Sequence, residues 1–122
     1  MILKTLLKPF FVLIAIFSLN TEAPGQSDFI TVNGTRLEVQ VAGIENMGMG
    51  TPTIVFENGR ASKFDSWQTV IEEVSRKSVV FAYNRPRIGR SEDDSLPPTM
   101  RHIVENLREM LLKKTYNHLI SW

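Results

Sequence analysis

Apolar and polar residues first alternate with the period of a β-strand. Residues 29–32 and 35–41 are strand-like segments separated by Asn33 and Gly34, a pair that readily takes the positive φ angles of a two-residue turn. The inward positions of the second segment are Leu37, Val39 and Val41. The pattern predicts an antiparallel hairpin with one buried and one solvated face.

Two later segments are apolar without interruption. Residues 54–56 and 79–83 contain β-branched and aromatic side chains with no polar residue between them, as expected of strands covered on both faces. Strands of this kind are usually parallel. The first of them runs into a polar loop, and open α/β sheets bind ligands outside the carboxyl ends of such strands.

A segment whose apolar residues recur with helical periodicity lies between these two strands. Its apolar stripe consists of Trp67, Val70, Ile71 and Val74. Asp65 or Ser66 is the expected N-cap, with Gln68 completing a capping box with Asp65. Strand, helix and strand form a βαβ unit.

A second, longer helical stripe follows the acidic, proline-containing connection at 92–98. Thr99 is its expected cap, and its predicted core positions are Met100, Ile103, Val104, Leu107, Met110 and Leu111. Residues 116–120 are expected to begin a third parallel strand. The predicted class is therefore α/β: an antiparallel hairpin followed by βαβαβ, forming an incomplete sheet.

The amino-acid composition excludes several classes of function for this chain. The chain has 122 residues, no cysteine and a formal net charge of +1. One small domain with balanced charge gives no electrostatic case for nucleic acid, and the lack of cysteine excludes disulfides, thiolate metal sites and a cysteine nucleophile. The glycines of residues 42–52 lack the G-x-G-x-x-G spacing of a dinucleotide loop. We expect no cofactor and no metal.

Residues 1–25 have the pattern of a secretory signal peptide. Lys4 and Lys8 precede an apolar run at 10–19, and small residues Ala23 and Gly25 precede the expected cleavage after Gly25. An uncleaved membrane anchor is the alternative, but the run is shorter than the roughly 20 residues that span a bilayer. The expected location is secreted or periplasmic, with no stable membrane span, and residues 26–122 form the domain.

Two loop sequences carry a resemblance to a known family. Val55-Phe56-Glu57-Asn58-Gly59 resembles the end of the third strand and the oxyanion loop of α/β-hydrolase-fold proteins. Residues 82–91, Ala-Tyr-Asn-Arg-Pro-Arg-Ile-Gly-Arg-Ser, are similar to the family's turn after the fourth strand. In this turn Asn84 stands where the family normally has Asp, and Arg87 where it commonly has Gly.

The resemblance implies an oxyanion loop formed by Asn58, Gly59 and Arg60, with the Arg60 backbone N–H as one donor. It also implies a nucleophile in a G-x-S-x-G turn after the fifth strand, followed by an acid and a histidine. No such turn is present, and Ser121 has no flanking glycine, so we do not predict that it is catalytic. No triad can be assembled, and whether the chain is an enzyme stays open.

The remaining candidate residues have simple interpretations. His102 lies off the apolar stripe and is expected to be solvated, while His118 precedes the nucleophile position, although the family's base comes last. Asp93 and Asp94 are expected to be solvated loop residues.

The first functional hypothesis is the N-terminal portion of a secreted serine-type hydrolase acting on a small ester or similar substrate, truncated and inactive alone. The alternative is a non-catalytic protein that binds an anionic ligand through loop arginines Arg60, Arg85, Arg87 and Arg90. A small-molecule substrate is expected only if the missing part completes the fold, and an exposed strand edge would favour self-association. The substrate itself is not readable from the sequence.

Overall fold

A computed structural model of the chain describes residues 27–120, with side chains as far as Lys114. The elements are β1 (Asp28–Val32), β2 (Thr35–Ala42), β3 (Ile54–Phe56), α1 (Gln68–Ser75), β4 (Val80–Tyr83) and α2 (Met100–Ile120), with 3-10 turns at Ile44–Asn46 and Phe64–Trp67. The predicted signal peptide and Ser121 lie outside the described residues, and so does the His118 side chain. Within the described part, no helix combines the length and apolar character needed to cross a membrane.

The four strands form one mixed sheet in the order β1-β2-β4-β3. β1 and β2 are the antiparallel hairpin predicted from Asn33 and Gly34, whose φ angles are 49° and 84°. β2 also pairs antiparallel with β4, whereas β3 and β4 are parallel. The α/β content and the βαβ unit are therefore confirmed.

The sheet is covered by one helix on each face. On the first face, Met110 of α2 packs in a cluster with Ile30, Val32, Leu37, Val39, Phe81 and Tyr83. On the second, Ile71 of α1 packs with Phe64, Val80 and Ala82. Successive residues of β4 thus enter opposite cores, which explains why this strand is apolar without alternation.

The stripe predicted for the first helix is only partly buried. Ile71 is buried and Val74 packs against the core, but Val70 is 43% exposed. The predicted capping box is wrong because a 3-10 turn precedes α1. Within it Asp65 pairs with Lys63 at 3.4 Å, and Gln68 donates a hydrogen bond to Glu72 instead.

The cap predicted for the second helix is confirmed. Thr99 Oγ1 accepts a hydrogen bond from the His102 backbone N–H at 3.2 Å. Met110 is fully buried, but Met100 and Val104 are 76% and 55% exposed, so the prediction of a continuous core stripe is wrong there. The buried face of α2 contains Asn106 and Met110, with Leu107 and Leu111 packed against the same core, and Met100 and Val104 lie outside it.

The predicted third parallel strand is wrong, because residues 116–120 are helical and belong to α2. Neither glycine nor proline occurs between Thr99 and Ile120, so the sequence supplies no signal that would stop the helix. The observed order after the hairpin is β3-α1-β4-α2. The predicted βαβαβ therefore lacks its last strand among the described residues.

The two edges of the sheet differ. At the β1 edge, Lys113 of α2 donates a hydrogen bond to the Thr31 carbonyl, and Lys114 lies 3.3 Å from the Asp28 carboxylate. At the β3 edge, no described strand pairs with the outer side, and Val55 is 37% exposed. Because residues 116–120 are helical, the open edge of the described sheet is that of β3 rather than that of a strand at 116–120.

Candidate functional site

The turn after β4, residues 84–91, is fastened to β2 by main-chain and serine hydrogen bonds. The Asn84 N–H donates to the Glu38 carbonyl at 2.9 Å. The Ser91 hydroxyl donates to the Asn84 carbonyl at 2.7 Å and accepts from the Glu38 N–H at 2.9 Å. Ser91 therefore closes the turn on itself and joins it to the sheet.

The Glu38 carboxylate is the buried centre of this arrangement. Its oxygens accept hydrogen bonds from Asn84 Nδ2, Arg90 N and Arg90 Nε, each at 2.8 Å. Burial by itself raises the pKa of Glu38, but hydrogen bonds from the Arg90 main chain and side chain, Asn84 and Ser27 outweigh it and lower the pKa to about 2. Glu38 is thus a structural anion at neutral pH.

Two residues of this turn have left-handed backbones. Gly89 has φ 57°, and a Cβ atom there would lie 2.4 Å from Asn84 Nδ2 and 2.7 Å from Glu38 Oε2. Arg87 has φ 68°, a conformation unfavourable for a side chain of its size. Gly89 is therefore required by the Glu38 network, whereas Arg87 is strained.

The predicted oxyanion loop lies at the carboxyl end of β3, beside the end of β4. Asn58 is buried, its Nδ2 donates to the Tyr83 carbonyl at 2.7 Å, and its own carbonyl accepts from Arg85 Nη2 at 2.7 Å. The Gly59 carbonyl accepts from the Ser62 N–H at 3.1 Å. The Arg60 N–H has no hydrogen-bond partner among residues 27–120, and Arg60 is exposed.

The side chains of Glu57 and Arg85, which are 41% and 20% exposed, also connect the ends of β3 and β4. Arg85 Nε donates to Glu57 Oε1 at 2.8 Å, and the Tyr83 hydroxyl donates to Glu57 Oε2. Burial and, next, the hydrogen bond to the Glu57 carboxylate raise the pKa of Tyr83, so its phenol stays protonated. Arg85 therefore has a structural role, because its guanidinium already donates to Glu57 and to the Asn58 carbonyl.

A cavity of about 270 Å³ opens between these strand ends and the start of α2. Its lining residues are Arg60, Tyr83, Arg85, Pro86, Arg87, Ile88, Asp94, Leu96, Pro98, His102, Ile103 and Asn106. It therefore lies at the carboxyl ends of β3 and β4, the end of the sheet where open α/β sheets bind ligands.

A buried polar cluster occupies one wall of the cavity. Asp94 Oδ2 contacts His102 Nε2, and Asn106 Nδ2 lies 3.2 Å from the same nitrogen. The side chains of Asp94 and His102 are only 8% and 18% exposed. Burial raises the pKa of Asp94, but hydrogen bonds from His102, the Leu96 N–H and Asn106 outweigh it and lower the pKa.

The expectation that Asp94 and His102 are solvated is therefore wrong. The chain reverses at Ser95, which has φ 59°, and Asp94 Oδ1 accepts the Leu96 N–H at 3.1 Å, so the loop folds back over the first turns of α2. Asp93, by contrast, is exposed as expected, and it accepts a hydrogen bond from Arg87.

The structure brings together three of the four loop arginines. Arg60, Arg85 and Arg87 line the cavity, whereas Arg90 pairs with Glu38 and lies over the Phe29 ring at 5.3 Å. Arg85 pairs with Glu57, and Arg87 pairs with Asp93 at 2.6 Å. Within the described part of the chain, Arg60 is the member of this set that has no acidic partner.

As far as the structure describes the chain, the cavity wall contains no serine, threonine or cysteine, and His102 contacts a carboxylate and an amide. Among the described residues no group of three histidine, aspartate or glutamate side chains is placed to hold a metal ion.

Comparison with known proteins adds no family: no family model matches this chain, and no curated protein matches it.

Proposed function

We propose that residues 26–122 are the N-terminal part of a secreted α/β-hydrolase-fold hydrolase of the serine type, which acts on a small ester or similar substrate. The observation that carries the proposal is the position of the Arg60 N–H. It is unpaired among the described residues, and it lies in a loop that Asn58 fixes to the end of β4.

Two further features support this proposal. Arg87 has φ 68°, and it stands at a position where the resembled turn commonly has glycine. β3 is an edge strand with an open outer side in the described sheet, and the family's fifth strand would pair there.

The chain is expected to be inactive by itself. One preorganised N–H donor stabilises an oxyanion by about 3 kcal/mol, but only after a nucleophile has formed that oxyanion. The sequence has no G-x-S-x-G turn that would hold such a nucleophile.

Hydrolysis of p-nitrophenyl acetate by the purified chain tests this proposal. We expect no turnover above buffer, and no difference between the wild-type protein and Ser121→Ala. Turnover that is abolished by Ser121→Ala would show that the chain carries its own nucleophile.

The nucleotide sequence after the codon for Trp122 gives an independent test. A G-x-S-x-G reading a short distance downstream, in any frame, would support the proposal. Its absence would leave the anion-binding alternative, which the cavity position of Arg60 favours.

A further inference from the structure

We infer that the cavity beside the β3–β4 strand ends binds a small monocarboxylate with an apolar body, whose carboxylate pairs with the Arg60 guanidinium. This inference rests on the anion-binding alternative and does not require a nucleophile. It goes beyond that alternative by reducing four candidate arginines to one and by defining the ligand class.

The charge of the ligand follows from the pairing of the arginines. Arg85 and Arg87 line the cavity, but Glu57 and Asp93 already neutralise them. Arg60 retains a planar guanidinium that can hold one carboxylate through two parallel hydrogen bonds. One such group suits a monoanion, whereas a dianionic phosphate would require further unpaired cations.

Asp94 supplies the one carboxylate among the described lining residues, and its presence does not contradict an anionic ligand. Asp94 accepts hydrogen bonds from the Leu96 N–H and contacts His102 Nε2, with Asn106 beside the same nitrogen. The charge of Asp94 is therefore satisfied within its own cluster rather than directed at the ligand.

The apolar body of the ligand follows from the rest of the wall. The apolar lining residues are Pro86, Ile88, Leu96, Pro98 and Ile103. They belong to the turn after β4, the 92–98 connection and α2, so they form a wall of three elements. A fully polar ligand would leave this surface without a matching contact.

The volume limits the size of the ligand. The cavity of about 270 Å³ is smaller than the roughly 300–1,000 Å³ of pockets for drug-sized ligands and larger than the ~150 Å³ cavity that holds benzene. A benzene ring carrying a carboxylate, or a branched aliphatic acid of similar size, fits these limits.

The test is a titration of the 122-residue chain with sodium benzoate, followed by backbone amide NMR shifts. Benzamide is the neutral isostere, and inorganic phosphate is the second anion. We expect saturable benzoate shifts at Ile88 and Ile103, with benzamide and phosphate binding at least tenfold more weakly.

Arg60→Gln should weaken benzoate binding at least tenfold. The matched control is Arg101→Gln, which removes another exposed arginine outside the cavity lining and should leave the affinity unchanged. Arg60 is exposed, so we expect both variants to keep the wild-type thermal midpoint.

Equal affinity for benzoate and benzamide would overturn the inference, and so would equal affinity for phosphate. Unchanged binding by Arg60→Gln, shifts that map outside the cavity, or no saturable binding would do the same. Ester turnover is measured separately, so a failure here leaves the hydrolase proposal to its own test.

Discussion

The carboxylate of Glu38 and the side-chain amide of Asn84 lie 2.8 Å apart and join the middle of β2 to the end of β4. The other end of the same amide, Asn84 Oδ1, accepts the Phe64 N–H at 2.9 Å. One asparagine thus connects the hairpin to the turn before α1. An aspartate here would place its carboxylate against that of Glu38, so Asn84 and Glu38 form a compatible pair.

Glu38→Gln should destabilise the fold by about 2–3 kcal/mol. The variant removes the charge that strengthens the Arg90 hydrogen bonds, and it places an amide N–H₂ where Glu38 accepts hydrogen bonds. Urea unfolding measures the change. Glu105→Gln, an exposed change on α2, is the control and should stay within about 0.5 kcal/mol of wild type. Equal effects of the two variants would contradict the structural role of Glu38.

The same carboxylate predicts an acid dependence of stability. The pKa of Glu38 is about 2 in the folded protein and 4.5 ordinarily, so folding favours the charged form. Its contribution, about 3 kcal/mol, is fully present above pH 4.5 and is lost as the pH falls to about 2. The difference in unfolding free energy between wild type and Glu38→Gln should therefore shrink across this range. A constant difference down to pH 2 would show that the ionisation of Glu38 makes no contribution.

Gly89→Ala should cost about 2–5 kcal/mol. The new Cβ would add a left-handed backbone penalty to contacts of 2.4 and 2.7 Å with Asn84 and Glu38. Gly50→Ala is the matched control because Gly50 has φ 77° but no atom within 4 Å of the added carbon. It should cost about 1–2 kcal/mol. Denaturant midpoints of the two variants separate crowding from backbone strain, and equal costs would argue against the crowding.

Arg87→Gly should raise the thermal midpoint by a few degrees. Glycine accepts the φ of 68° without strain, and the ion pair lost with Asp93 joins two side chains that are more than half exposed. Arg87→Ala is the control, because it removes the ion pair but keeps the strained backbone. Calorimetry should rank the glycine variant above wild type and the alanine variant below it. A glycine variant no more stable than the alanine variant would contradict this ranking.

The open edge of β3 should make the chain associate with itself. Its outer backbone groups are unpaired in the described sheet, and Val55 is 37% exposed beside them. Val55→Lys should reduce the concentration-dependent increase in sedimentation coefficient, whereas Val104→Lys, at an exposed position of α2, should not. Sedimentation of the wild-type chain that is independent of concentration would contradict this prediction.

Local sequence patterns were sufficient to predict three features of the fold. Asn33 and Gly34 specify the hairpin turn, the unbroken apolar run identifies β4, and Thr99 marks the start of α2. The end of α2 was mispredicted because 116–120 has a weak strand pattern and no stop signal separates it from the helix.

The cavity wall was not predictable in the same way. Asp94 and His102 are eight positions apart, and their contact depends on the reversal at Ser95, a residue with no strong preference for positive φ. The roles of the arginines likewise depend on partners that are distant in sequence: Arg85 pairs with Glu57, 28 residues away, and Arg90 with Glu38, 52 residues away.

The lysines at the β1 edge hinder the addition of a further strand to that side of the sheet. Lysine is a common device against strand addition, and Lys113 already binds the Thr31 carbonyl that an added strand would need. The β3 edge has no comparable contact among the described residues. We therefore expect any added strand to pair with β3 rather than with β1.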